Sequence, residues 1–402
     1  MNLKILGSIA IVAGTAIGAG MLALPLATAA MGLLPALLLM LVIWGISAYT
    51  SLLMLEVNLR SGVGDNLHAI TGKALGKTGQ LIQSAAFLSL LFALTAAYLT
   101  GGADLLVLKA KAWFDMTLDG QDAVLLFTLA LGSFAALGVG WVDKLSRGLF
   151  SAMIVMLVLV VLFLLPEVNM NTLLEQAPTD SYANVWLAAV PVVFTSFGFH
   201  VCIATLVRYL DGDTVSLRKV LLIGSGIPLA CYLLWLLVTL GTVGGDTIHG
   251  FGGSLSKLIS ALQAISEQPL VSKCIGLFAD LALITSFLGV TLSLFDFSAE
   301  LIRAKSNVVG RLQTWLLTFI PPLACALYLP EGFSALLGFA AVPLVVIIIF
   351  LPIAIALKQR RESPEGYKVA GGKPAMALMA LLGIGIIAAQ LYATLGPKTS
   401  PL

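Results

Sequence analysis

The chain has 402 residues, 59% of them hydrophobic and only 10% charged, with a mean hydropathy of +1.04. Soluble domains run at about 45–50% apolar and about 25% charged, so this composition excludes an ordinary soluble domain and describes an all-α polytopic membrane protein. A formal net charge of +2 offers no basic surface for nucleic acid. Four scattered cysteines (Cys202, Cys231, Cys274, Cys325) have neither metal nor redox spacing, so no metal or cofactor is expected.

The first apolar stretch, 5–30, is interrupted by Gly14, Thr15, Ala16, Ile17, Gly18, Ala19 and Gly20. Ala27-Thr28-Ala29 resembles a leader cleavage site, but only Lys4 precedes it and a discarded leader has no use for a glycine break, so 5–30 reads as a retained span. Further runs close to the roughly 20 residues that cross a hydrocarbon core follow at 33–56, 80–107, 123–141 and 148–166. In the run 80–107, Thr95, Tyr98 and Gly102 share one helical face, and the Tyr98 hydroxyl is placed either to cover a ligand or to bond a neighbouring helix.

The sixth run, 185–207, carries the second break: Phe194, Thr195, Ser196, Phe197, Gly198, Phe199 and His200. Lipid forbids unpaired backbone groups unless protein or a water-filled cavity surrounds them. Paired broken helices therefore point to a transporter's binding site. Half-helix N-termini suit a carboxylate, whereas half-helix C-termini and unwound carbonyls suit an ammonium or a cation. A zwitterionic amino acid needs both, and the three phenylalanines suit an aromatic side chain. The alternative is that the glycines only permit close helix packing.

Runs at 220–243, 273–300, 312–329, 333–357 and 375–396 complete eleven expected spans. Between them, 254–265 has apolar residues at helical spacing and reads as an amphipathic interfacial or lid helix. The run 273–300 carries a small-and-polar stripe (Ala279, Ala282, Ser286, Gly289, Ser293, Asp296, Glu300) suited to an inward pathway or to tight packing. Thr285 and Ser286 sit near its middle as candidate cation ligands. Asp280 is the best carboxylate for a proton relay, since ionisable groups within a membrane are functional suspects.

Seventeen of the 22 Lys and Arg residues fall on alternate connectors, beginning with Lys4. The positive-inside rule then puts the N-terminus in the cytoplasm and, with eleven spans, the C-terminus outside. Breaks in spans one and six imply two repeats of five, about 5–166 and 185–357, with 375–396 extra, all within one transporter domain covering 1–402. Five being odd, the repeats are inverted, a pattern similar to the LeuT-type fold of the APC superfamily.

Residues 11–25 (IVAGTAIGAGMLALP), 94–98 (LTAAY), 194–200 (FTSFGFH), 278–289 (FADLALITSFLG), 310–314 (GRLQT) and 366–372 (GYKVAGG) resemble the hydroxy/aromatic amino acid permeases, especially their tyrosine-specific branch. The resemblance runs along essentially the whole chain. It implies an importer of the bacterial inner membrane, periplasmic at its C-terminus, that carries tyrosine, and phenylalanine or tryptophan, with protons by alternating access. The two breaks would grip the substrate and Tyr98 would shape its pocket. Thr285 and Ser286 also look like the sodium position of sodium-coupled relatives, so sodium symport is the alternative. A permease for tryptophan or hydroxy amino acids and a channel are further alternatives. No nucleophile–base set suggests an enzyme.

Overall fold

The computed structural model describes residues 3–135, 139–174, 182–305, 307–328 and 332–395, and every regular element there is helical. That follows from the composition, because in lipid a helix satisfies its own backbone polar groups within one segment. The broken first stretch forms α1 (Leu3–Ala16) and α2 (Ala19–Thr28), followed by α3 (Leu33–Ser61) and α4 (Leu67–Phe114). Next come α5 (Gly120–Ala135), α6 (Val139–Leu164) and the short α7 (Met170–Leu174). The second broken stretch is α8 (Tyr182–Ser196) and α9 (Ile203–Tyr209), followed by α10 (Thr214–Val243) and α11 (Gly245–His249). The chain closes with α12 (Leu255–Gln263), α13 (Pro269–Leu301), α14 (Val308–Tyr328), α15 (Gly332–Val345), α16 (Leu351–Glu362) and α17 (Gly372–Leu395).

Among the described residues, eight helices are long and apolar enough to cross a membrane, and nine if the pair Leu3–Ala16 and Ala19–Met31, bent by 51°, counts as one span. The protein is thus a multi-pass membrane protein. The other two expected spans fall on α5, whose 16 residues are short for a crossing, and on α14, whose apolar run is diluted by Arg311, Gln313, Pro321 and Pro322.

Contacts sort the connectors onto two faces. On the basic face the Arg60 guanidinium donates to the carbonyls of Tyr367 and Ser363, at 3.1 and 2.6 Å. Arg218 stacks over the Tyr367 ring, so the end of α3 and the first turns of α10 meet the connector after α16 there. Their anchor is Glu56, fully buried. Its carboxylate accepts two Arg360 N–H bonds at 2.6 Å each and the Val369 N–H at 2.7 Å. A buried charge is tolerable only when paired and hydrogen-bonded in this way. The 366–372 motif is therefore a strap across the basic face.

The opposite face carries α12, the expected amphipathic helix. Leu255, Leu258, Ile259 and Leu262 are buried against α13, α4 and α2. Asp104, near the end of α4, accepts from the Ser256 N–H and from the hydroxyls of Ser256 and Ser254, at 2.9–3.1 Å. A carboxylate at a helix N-terminus is well placed for both the free N–H groups and the helix dipole. These contacts pin α12, the expected interfacial or lid helix, across this face, the lid face.

Candidate functional site

Only Ile17 and Gly18 leave helical geometry at the first break. Gly14, Thr15 and Ala16 remain in α1 and Ala19 and Gly20 in α2, so the break is shorter than the expected 14–20 stretch. Gly18 is extended, with φ −174°. A Cβ there would run into the Ser286 hydroxyl. That hydroxyl cannot swing away freely, because its oxygen accepts the Ala19 N–H at 2.8 Å. Ser286 therefore satisfies the first donor of α2, one of the groups that a helix start leaves free. Tyr98 is 7% exposed, and its hydroxyl lies beside Ser286.

The second break is longer. After α8 the chain turns at 197–199, makes a 3₁₀ turn over His200–Cys202, and resumes as α9. Phe194, Phe197 and Phe199 are fully buried. His200 stacks on Phe199 and shares a 2.9 Å hydrogen bond between its Nε2 and the Thr50 hydroxyl of α3. The Ser196 hydroxyl donates to the Val192 carbonyl of its own helix and reaches the Gly20 carbonyl at 3.3 Å. A Cβ on Gly20 would touch this serine. Phe194, Thr195 and Ser196, expected within the break, remain in α8, where Thr195 keeps a buried hydroxyl with no hydrogen-bond partner.

Sequence reasoning missed the residue that joins the breaks. Tyr232 of α10 is fully buried. Its hydroxyl reaches the Ala16 carbonyl at 2.7 Å and the Ser196 carbonyl at 2.8 Å. These are the last residues of α1 and α8, so one O–H is shared by the negative ends of both half-helices. Its ring packs edge-to-face on Phe197, with centroids 5.1 Å apart. In sequence Tyr232 is one aromatic residue within an apolar run. Its only local signal is a hydroxyl that must find a partner when buried.

The other candidates are not drawn in. The Thr285 hydroxyl donates to the Leu281 and Ala282 carbonyls of its own helix, at 2.7 and 3.2 Å. Asp280 forms an ion pair with Lys109 of α4. It lies six residues from Ser286, which is about 240° around an α-helix and thus on another face. Thr15 is exposed, and its hydroxyl bonds back to the Ile11 carbonyl.

Exposure along the α13 stripe changes with depth. Ala279 and Ala282 are fully buried, Ser286 is half-buried, and Gly289, Ser293, Asp296 and Glu300 are exposed. The stripe opens toward the basic face, where a cavity of about 500 Å³ extends from Glu300 and Phe297 up to His200 and Val201. It also takes in His68, which looks incidental in the sequence. At Gly76 (φ +68°) α4 kinks, bringing His68 within 3.0 Å of the Gln83 side-chain oxygen.

The two breaks share one hydroxyl, and the second borders the cavity on the basic face. Residues 1–390 match the tryptophan/tyrosine permease family. The chain belongs to that family. A relative from Haemophilus influenzae named tyrosine-specific transport system 1 is 38% identical over 386 residues, covering 95% of each chain. Glutamine transporter 2 of Aliivibrio fischeri is 34% identical, covering 97% of this chain and all of that one. Among solved structures, a mutant manganese transporter from Eremococcus coleocola superposes with a TM-score of 0.62 at 16% identity, over 98% of this chain and 88% of that chain. At that identity the likeness is one of fold. As a permease of this family, the protein is a membrane transporter and not an enzyme.

Proposed function

We propose that this permease imports tyrosine, with phenylalanine and tryptophan as further substrates, across the bacterial inner membrane by proton symport and alternating access. The basic face is cytoplasmic, as is the N-terminus, and the C-terminus is periplasmic. The architecture is the eleven-span, five-plus-five LeuT-type arrangement. Gly14 to Gly20 and Phe194 to His200 hold the amino acid, the first through its backbone and the second through its ring. Tyr98 closes the pocket from the lid side.

The observation that carries this reading is the convergence of both breaks on the Tyr232 hydroxyl. Backbone carbonyls, a helix start and buried rings meet there, as a zwitterion with an aromatic side chain requires. Support for protons over sodium comes from Ser286. Sodium needs several oxygens turned toward it, whereas the Ala19 N–H is already aimed at the Ser286 oxygen. Asp280, paired with Lys109, remains the carboxylate proposed to titrate during the cycle.

The test is uptake of labelled tyrosine into proteoliposomes with proton and sodium gradients imposed separately. Phenylalanine, tryptophan, serine, leucine and glutamine serve as competitors. Proton-driven uptake blocked by aromatic amino acids alone is the expected result. Uptake that follows sodium overturns the coupling, and competition by glutamine or serine overturns the substrate. Unsaturable flux with no competition would make the protein a channel.

A further inference from the structure

The cavity on the basic face has chemistry of its own. In α4, Gln83 and Phe87 lie one turn apart, and in α13 Phe297 and Glu300 do the same. The two rings meet edge-to-face with centroids 5.7 Å apart. The helices run in opposite directions: α4 ends on the lid face at Asp104 and Lys109, whereas α13 passes Lys109 at Asp280 and ends on the basic face. Gln83 therefore precedes Phe87 and Glu300 follows Phe297 on the same side of the aromatic pair, each nearer the basic face.

All four side chains line the 500 Å³ cavity, a size within the usual range for small-molecule sites. Gln83 is 6% exposed although its side chain is polar. Its Oε1 can only accept, so at 3.0 Å from His68 Nδ1 it takes that proton, leaving the amide N–H groups free to donate. Ser84, also in the lining, adds a hydroxyl. Glu300 has no ion pair among the described residues, and no Lys or Arg lines the cavity.

We propose that the outer part of this vestibule, on the far side of the cavity from His200, is a second binding station for an aromatic L-amino acid, entered from the basic face. Glu300 takes the ammonium, Phe87 and Phe297 take the ring, and the Gln83 amide with the Ser84 hydroxyl takes the carboxylate. Neutral donors hold a carboxylate less tightly than an Arg fork does, which suits a station that must release what it receives. The inference rests on the transport reading above.

The experiment is equilibrium binding of labelled L-tyrosine to the purified full-length protein in lipid nanodiscs, with uptake measured on the same preparations. Two binding events per chain are expected, one tight and one weak. Glu300→Gln, at an exposed position where folding is not at stake, should remove the weak event and leave the tight one within about twofold. Phe297→Leu should do the same, while Gly18→Leu should remove the tight event and keep the weak one. A single event in the unmodified protein, or two events surviving in both Glu300→Gln and Phe297→Leu, overturns the second station. If uptake is then normal, the transport reading stands without it. Tyrosine, phenylalanine and tryptophan that neither bind nor enter overturn that reading, and the station with it.

Discussion

The first break is two residues long, Ile17 and Gly18 between alanines, and its backbone groups are already engaged: the Ala16 carbonyl by Tyr232 and the Ala19 N–H by Ser286. The second spans a turn and a 3₁₀ segment, buries three phenylalanine rings and touches the open cavity through His200. One break presents backbone held by neighbouring hydroxyls; the other presents ring surface, with a buried hydroxyl lacking a hydrogen-bond partner at Thr195 beside it. On the proposed reading, the glycine break grips what all amino acids share and the phenylalanine break distinguishes their side chains. Tyr232, bonded to both, makes them one unit.

Gly18→Leu breaks the comparison at its strongest point. The added side chain must displace Ser286, and displacing Ser286 strips Ala19 of its acceptor. Uptake of every substrate should vanish while the protein still inserts in the membrane, as checked by transport alongside surface labelling. Normal uptake would remove the first break from the site. Tyr232→Phe comes next, because it keeps the ring on Phe197 but deprives two buried carbonyls of their donor. Leaving a buried polar group unsatisfied costs about 1–3 kcal/mol, so uptake should fall about tenfold or more for all substrates alike. A loss confined to one substrate would dissolve the idea of a common unit.

Phe197→Leu sharpens the comparison instead. It removes an edge-to-face pair worth about 0.5–1.5 kcal/mol and enlarges the ring-lined side of the site. The expected result is a change of about threefold to tenfold in the preference among tyrosine, phenylalanine and tryptophan, read from competition curves. Equal losses for all three would mean that the second break is scaffold and not a selector.

What was legible in the sequence is what local chemistry encodes. Glycine clustering exposed the first break, phenylalanine crowding the second, and helical spacing the amphipathic α12 and the α13 stripe. Pairings across the chain were not legible. Tyr232 meets Ala16 across 216 positions, and nothing within its own apolar run marks that meeting. Thr285 and Ser286 are equivalent as sequence, yet adjacent helix positions diverge by about 100°, and only Ser286 reaches Ala19. Asp280 reads as a free carboxylate until α4 brings Lys109 beside it. His68 reads as a connector residue until the Gly76 kink folds it onto Gln83.

The smallest effect belongs to Tyr98→Phe, and its pattern across substrates is worth more than its size. The Tyr98 hydroxyl lies beside Ser286, the residue that holds the start of α2. Removing one such hydrogen bond costs about 0.5–1.5 kcal/mol. If that hydroxyl works through Ser286, KM should rise about threefold for tyrosine, phenylalanine and tryptophan together, because the position of α2 is common to all three. If instead it touches the phenol of bound tyrosine, the rise would be confined to tyrosine, the only one of the three with a hydroxyl on its ring. The geometry favours the first outcome, which would place Tyr98 with the glycine break as part of the common grip. The second would move it to the selective side and shift the boundary between the two regions by one helix.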